Sequence, residues 1–277
     1  MIYYEFRNDL GGGTWGKEKT LDRQIQVVSS PVRVVGEKSI KFDLRLSDPL
    51  FNGKHRAEIR LPKQPLKIEQ WYGFSAYFPS TSPNWWQSES VEKFFFQVHA
   101  SPDTNERWRW PIVGFFINKG NLRILNAWDT RSITEAYLPG NLVWHDFDGV
   151  NHPKIPIARD TWMDFVVHGK WYWDDRGLLE IWFNGDKIIE RRDTPVCFND
   201  NVRPGAYLKT GIYGRSDALD LVNYISHITQ ADGGGRYNDV SLTPQTEQPA
   251  PEPEPTPEPT PEARYELVTE PLYRKVS

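Results

Sequence analysis

Leu178-Leu179-Glu180-Ile181-Trp182-Phe183-Asn184-Gly185-Asp186-Lys187-Ile188-Ile189-Glu190-Arg191 reads as two strands folded back on each other. Asn-Gly accepts positive φ at both central positions of a type I′ turn, and the twist of that turn matches the strands on either side. Antiparallel pairing is therefore written into this stretch. Outward from it, apolar and polar residues alternate at Gln24–Val28, Ser39–Leu46, His55–Leu61, Trp71–Phe78 and Lys93–His99. The pattern recurs at Pro111–Ile117, Trp162–Trp171, Ala206–Tyr213 and Val222–Ile228. Val, Ile, Phe, Tyr and Trp are enriched in these runs, as strands require. Helix signals are sparse. Many strands at short spacing predict an all-β chain, a β-jelly-roll sandwich of two antiparallel sheets with a concave groove, rather than a closed barrel.

The chain has 277 residues, with 12 Trp, 12 Tyr and 14 Phe, enough for one sizeable core. Residues 1–235 read as that domain. Residues 236–262 read as a Pro/Glu/Thr-rich spacer, because the run Pro249–Glu262 favours extended polyproline II and cannot bury enough apolar area to fold. Residues 263–277 read as a short terminal peptide, a frayed end or a tether to another component. Seven Glu against three basic residues beyond position 240 account for the whole net charge of −4. The remainder is near neutral, which argues against nucleic acid as a partner. Cys197 is the single cysteine, so no internal disulfide or Cys-rich zinc site can form. No secretory leader or membrane-length apolar run is visible, so the expectation is a soluble monomer that is cytoplasmic, virion-associated or a trimmed secreted form.

Three strands carry the chemistry. Side chains alternate faces along a strand. Arg56, Glu58 and Arg60 share one face, Gln97 and His99 another, and Tyr207, Lys209 and Tyr213 a third. Between them Ala57, Ile59, Phe94, Phe96, Val98, Leu208 and Ile212 suit a core. Such a polar front fits β-elimination on a polyuronate. That reaction needs a clamp to neutralise the C5 carboxylate, a base for the C5 proton and an acid for the leaving O4. Arg and Gln suit the clamp, His suits the base, and Tyr can serve as acid, or as base and acid in turn. No metal or covalent nucleophile is compulsory. Calcium is compatible with acidic pairs such as Asp174-Asp175, but surface turns give the same pattern.

Arg56-Ala57-Glu58-Ile59-Arg60, Gln97-Val98-His99 and Tyr207-Leu208-Lys209-Thr210-Gly211-Ile212-Tyr213 resemble, in order, the three signature strands of the jelly-roll polysaccharide lyases, the group of alginate lyase, glucuronan lyase and heparin lyase I. The segment Trp162–Glu190 is more similar to the glucuronan and heparin lyase side. The resemblance implies a concanavalin- and laminin-G-like sandwich and cleavage of an acidic, uronic-acid-containing polysaccharide. It implies that Gln97, helped by Arg56 or Arg60, neutralises the carboxylate. It makes His99 the base or a second carboxylate partner, Tyr213 the acid or both acid and base, Lys209 a substrate contact, and Glu58 the residue that orients the arginines. Arg215 stands where the alginate lyase pattern often has Gln, which suits a more anionic or differently linked polymer. His55 precedes Arg56 and points to the other face unless a bulge reverses it; in the glucuronan lyase branch it would be a second catalytic group. Tyr207, Trp85 and Trp86 complete the candidate groove, the two Trp in a walling loop.

Two rival readings remain at this stage. A glycoside hydrolase on the same sandwich needs two carboxylates flanking the bond, and no E-x-D-x-x-E strand is present. A lectin-like carbohydrate-binding module would keep the aromatic face without catalysis.

Overall fold

The computed structural model describes residues 2–6, 8, 10, 15–65, 68–82, 93–134, 141–201, 205–214 and 220–244. Trp85, Trp86, Arg215 and the proline-rich tail lie outside the described residues. In chain order the strands are β1 (Ile2–Phe6), β2 (Gly16–Glu18), β3 (Ile25–Val28), β4 (Ser39–Leu44) and β5 (His55–Arg60). Then come β6 (Glu69–Tyr77), β7 (Lys93–Ala100), β8 (Val113–Asn118), β9 (Asn121–Trp128) and β10 (Asn141–Asp146). The last are β11 (Trp162–Lys170), β12 (Leu178–Phe183), β13 (Asp186–Arg192), β14 (Ala206–Gly214) and β15 (Leu221–Asp232), followed by the four-residue helix α1 (Tyr237–Val240).

Among the described residues, one sheet runs β13-β12-β11-β6-β15-β4-β3, with β1 also on β15, and the other runs β10-β9-β8-β7-β14-β5-β2. Neighbouring strands in both sheets pair antiparallel. The two sheets pack face to face as the jelly-roll sandwich expected from the alternation. The Asn184-Gly185 turn closes β12 onto β13 with φ of 48° and 95°, the positive pair a type I′ turn needs.

The core between the sheets is aromatic. Phe74 of β6 stacks on Phe96 of β7 at 4.2 Å and on Phe165 of β11 at 4.9 Å, while Phe95 and Phe115 meet Phe165 at 5.8 and 5.6 Å. Offset and edge-on pairs of this kind add to the burial of large apolar area. No helix among the described residues is long and apolar enough to cross a membrane.

One core expectation holds in burial but not in direction: Phe94 is buried within the core cluster, yet its ring lies on the groove side. Strict alternation puts Phe94 on the core face with Phe96 and Val98. Between Phe94 and Phe96 the pairing of β7 with β8 slips by one residue, Phe94 opposing Phe116 and Phe96 opposing Phe115. The extra residue is Phe95, and such a bulge reverses the alternation beyond it. Phe95 and Phe96 both enter the core. Phe94 turns to the opposite face, where its ring lies against Tyr213 and Trp110.

Candidate active site

The order β7-β14-β5-β2 places the three signature strands side by side. Lys209 is paired with Gln97 on one side and Arg60 on the other; Tyr213 is paired with Arg56, and Tyr207 with His99. Period-two alternation therefore brings the polar front of all three strands to one face. That face lines a cavity of about 430 Å³ whose walls include Glu18, Arg56, Gln97, His99, Lys209 and Tyr213.

The floor is a hydrogen-bonded network around Glu58. This carboxylate is 1% exposed. Its Oε1 accepts from the Gln97 amide at 2.6 Å and its Oε2 from Lys209 Nζ at 2.8 Å, with Arg56 at 3.7 Å. Burial pushes the Glu58 carboxyl above its usual range, against the pull of Lys209 and Arg56. The bond to Glu58 fixes which end of Gln97 is the amide nitrogen, and it leaves the second N–H of that group to be offered to a ligand. Glu58 thus holds the Gln97 amide and Lys209 Nζ directly; of the two arginines expected to be oriented by it, Arg56 lies within reach, while Arg60 is paired with Glu18 instead.

Glu18 was missed from the sequence. It sits on β2, a three-residue edge strand too short to show alternation. It is paired with Glu58 of β5, and Lys209 bridges the two carboxylates at 2.9 and 2.8 Å. Arg56 also binds Glu18 closely, and Arg60 Nε lies 3.6 Å from it. Burial would raise the Glu18 carboxyl, but Lys209 and Arg56 outweigh it and hold the group below its usual range.

His99 donates from Nδ1 to the Ala100 carbonyl at 2.7 Å, since a carbonyl can only accept. The neutral ring therefore carries its lone pair on Nε2. Burial, and next the positive charge of Lys209, push this imidazole down to about 3. Trp108, 59% exposed, stands edge-on to His99 at 5.6 Å and gives the cavity an aromatic rim. Tyr207 also packs against His99, with ring centroids 5.7 Å apart, and burial raises its phenol.

Tyr213 is held by its ring. Phe94 stacks on it at 5.9 Å, and the Arg56 guanidinium lies 4.4 Å from the ring centroid. Lys209 Nζ is 5.4 Å from that centroid. Room for Phe94 comes from Gly114, where a Cβ would fall 2.3 Å from the Phe94 ring.

His55 is not among the cavity-lining residues. β5 is regular where it pairs with β14, so no bulge carries His55 to the face of Arg56; its imidazole is lowered by burial and by nearby Lys93. Arg60 stands at the edge, its side chain 43% exposed. Arg109 also lines the cavity, locked between Glu106 and Asp200 and stacked over Phe198 at 4.0 Å. Among the described residues, Asp103, Glu106 and Asp200 gather their oxygens within 4.8 Å, and Arg109 supplies the countercharge. Asp174, noted for calcium, is bound by Arg176 at the surface.

Comparison with known proteins adds to this geometry. In structure, the chain is similar to an endo-β-1,4-glucuronan lyase from the fungus Trichoderma reesei, with TM-score 0.68 and 17% identity over 87% of this chain and 98% of that one. It is also similar to an alginate lyase, with TM-score 0.51 and 10% identity over 79% of this chain and 95% of that one. At these identities the likeness speaks for the fold. No curated protein matches the chain in sequence. A sequence model of the family described as polysaccharide lyase matches residues 10–229, a span that contains all three signature strands and the edge strand with Glu18. The chain thus belongs to the polysaccharide lyase family, and it is an enzyme of that class.

Proposed function

We propose that this lyase cleaves a uronic-acid-containing polysaccharide by β-elimination in the groove over β7, β14 and β5. The observation that carries the reading is the placing of an amide, an imidazole, a phenol and the cations Arg56 and Lys209 on one face of three adjacent strands, around one cavity. Gln97 and Arg56 take the C5 carboxylate, and their charge-assisted bonds strengthen as that group gathers charge in the transition state. His99 takes the C5 proton on Nε2. That nitrogen is an acceptor, so it repels a carboxylate; this favours the role of base over that of carboxylate partner. The uronate carboxylate, once bound nearby, raises the basicity of the ring again. Tyr213 gives its proton to O4. A hydrolase would need two carboxylates flanking the bond, whereas among the described lining residues Glu18 is the one carboxylate, and both it and the buried Glu58 beneath are ion-paired with Lys209.

A panel of glucuronan, alginate and heparin-like chains tests the reading. Glucuronan leads it, because a structural neighbour acts on that polymer. Cleavage with rising ultraviolet absorbance, from the conjugated unsaturated uronate, supports elimination. Reducing ends without absorbance would mean hydrolysis, and binding without either would mean a lectin.

The depressed imidazole has a consequence for pH. The base must be unprotonated, and a group lowered to about 3 stays so well into the acid range. The acidic limb of kcat/KM, which reports the free enzyme, is expected below about pH 5. A limb at the ordinary histidine value near 6.5 would mean that the free enzyme does not hold this imidazole low, and a limb unchanged in His99→Gln would remove His99 from this role.

A further inference from the structure

Elimination has no use for an anion of the enzyme's own in the groove, yet Glu18 stands there. Its carboxylate is met by Lys209 at 2.9 Å, by Arg56 at closer contact and by Arg60 at 3.6 Å, and its side chain is 15% exposed. Three cations converging on one carboxylate at a cavity wall form an anion seat, and the chain fills that seat from its own edge strand. We propose that Glu18 is a specificity-determining residue: its carboxylate occupies the seat of a uronate carboxylate on Arg56 and Lys209, and a polymer gains that seat only by displacing it.

The inference rests on the uronate reading above and adds a rule of selection. Arg56, Arg60 and Lys209 against Glu18 and Glu58 leave one formal positive charge. Exchange of one carboxylate for another keeps that balance, so a lone anion gains little. A chain anchored through several sugars can offset the exchange with its other contacts, because linked contacts act at high effective concentration. Glu18 thereby favours long polyuronates over single sugar acids and stray anions, and it helps short products to leave. β2 pairs with β5 over only three residues, which leaves Glu18 on a short edge element.

Glu18→Gln tests this. The substitution is isosteric and removes a carboxylate paired directly with Glu58 across the strands, a like-charge contact that is unfavourable in itself. Calorimetry would measure the binding of sodium glucuronate, of inorganic sulfate and of a glucuronate trimer to the wild type and the variant, at low and at physiological salt. The expected result is roughly tenfold tighter binding of glucuronate and sulfate by the variant at low salt, with a steeper loss as salt rises. Selectivity for the trimer over the monosaccharide should fall. If Glu18 merely holds Arg56 and Lys209 in place, binding weakens or stays the same, and the proposal is overturned. Glu18→Ala, assayed in parallel, must give the same direction. If the wild type cleaves polyuronates but neither variant binds glucuronate more tightly, this inference alone fails. If polyuronates are neither bound nor cleaved, the uronate reading fails first.

Discussion

Tyr213→Phe is expected to lower turnover on a polyuronate by roughly a hundredfold to ten-thousandfold, the range a positioned general acid contributes. Binding of a short uronate oligomer should stay within about threefold of the wild type, because the substitution removes one hydroxyl and little else. The ring is fixed by Phe94 at 5.9 Å and by the Arg56 guanidinium 4.4 Å from its centroid. A phenylalanine ring keeps both contacts, so Arg56 remains where the proposed mechanism sets it against the carboxylate. The loss must then appear in kcat, with KM little changed, as for an interaction made only in the transition state. Gln97→Ala provides the contrast. It removes a clamp that also satisfies Glu58 at 2.6 Å, so it should lower kcat, with KM rising less, and also cost stability by leaving a buried carboxylate oxygen without its donor. If Tyr213→Phe kept a tenth or more of wild-type turnover, the phenol would have no part in proton transfer, and the acid would have to be sought elsewhere in the groove.

The same residues show how far a sequence can be read. The alternation of Arg56, Gln97, Lys209 and Tyr213 with apolar neighbours is a local property, so the face each would share was legible before any strand pairing was known. Their meeting across β5, β14 and β7 depends on sheet order, which spacing alone does not encode. That order is seen only in the folded chain, as β7-β14-β5. That Phe94 is buried was legible, but not that it faces the groove, because a bulge leaves no mark on composition: three consecutive phenylalanines read the same whether or not one is extra. Glu18 was missed for a different reason. A three-residue edge strand has no period to detect, and the carboxylate acquires its meaning only from distant partners, Arg56, Arg60 and Lys209, the last 191 positions away. The tilt of His99 toward an acceptor at Nε2 was equally illegible, since it rests on one bond to a backbone carbonyl.

Gly211→Ala is expected to damage both fold and site. Gly211 lies in β14 between Lys209 and Tyr213, where pairing with β7 slips by one residue. Its φ is +136°, a conformation that side-chain-bearing residues rarely adopt. A Cβ there would fall 2.2 Å from the Ala57 carbonyl oxygen and 2.8 Å from the Phe42 ring, both rigid parts of the core side. The Gly211 carbonyl accepts from Asn223 of the facing sheet at 3.2 Å, so the backbone cannot shift freely to relieve the clash. Backbone strain and overpacking each cost about 1–3 kcal/mol. A loss of about 3 kcal/mol in a domain of this size corresponds to a fall in Tm of roughly 6–12 °C. Gly36→Ala separates the two terms, since Gly36 has φ of +87° and a Cβ added there would meet nothing within 4 Å, so it carries strain without the clash. It should melt only a few degrees below the wild type and keep full turnover. At a temperature where Gly211→Ala is still folded, turnover should remain depressed, because relief of the clash moves Tyr213 relative to Lys209 and Gln97. Equal melting temperatures for the two glycine variants would show that β14 absorbs the methyl group without moving, and the bulge would lose its place as the device that sets the phenol against the clamp.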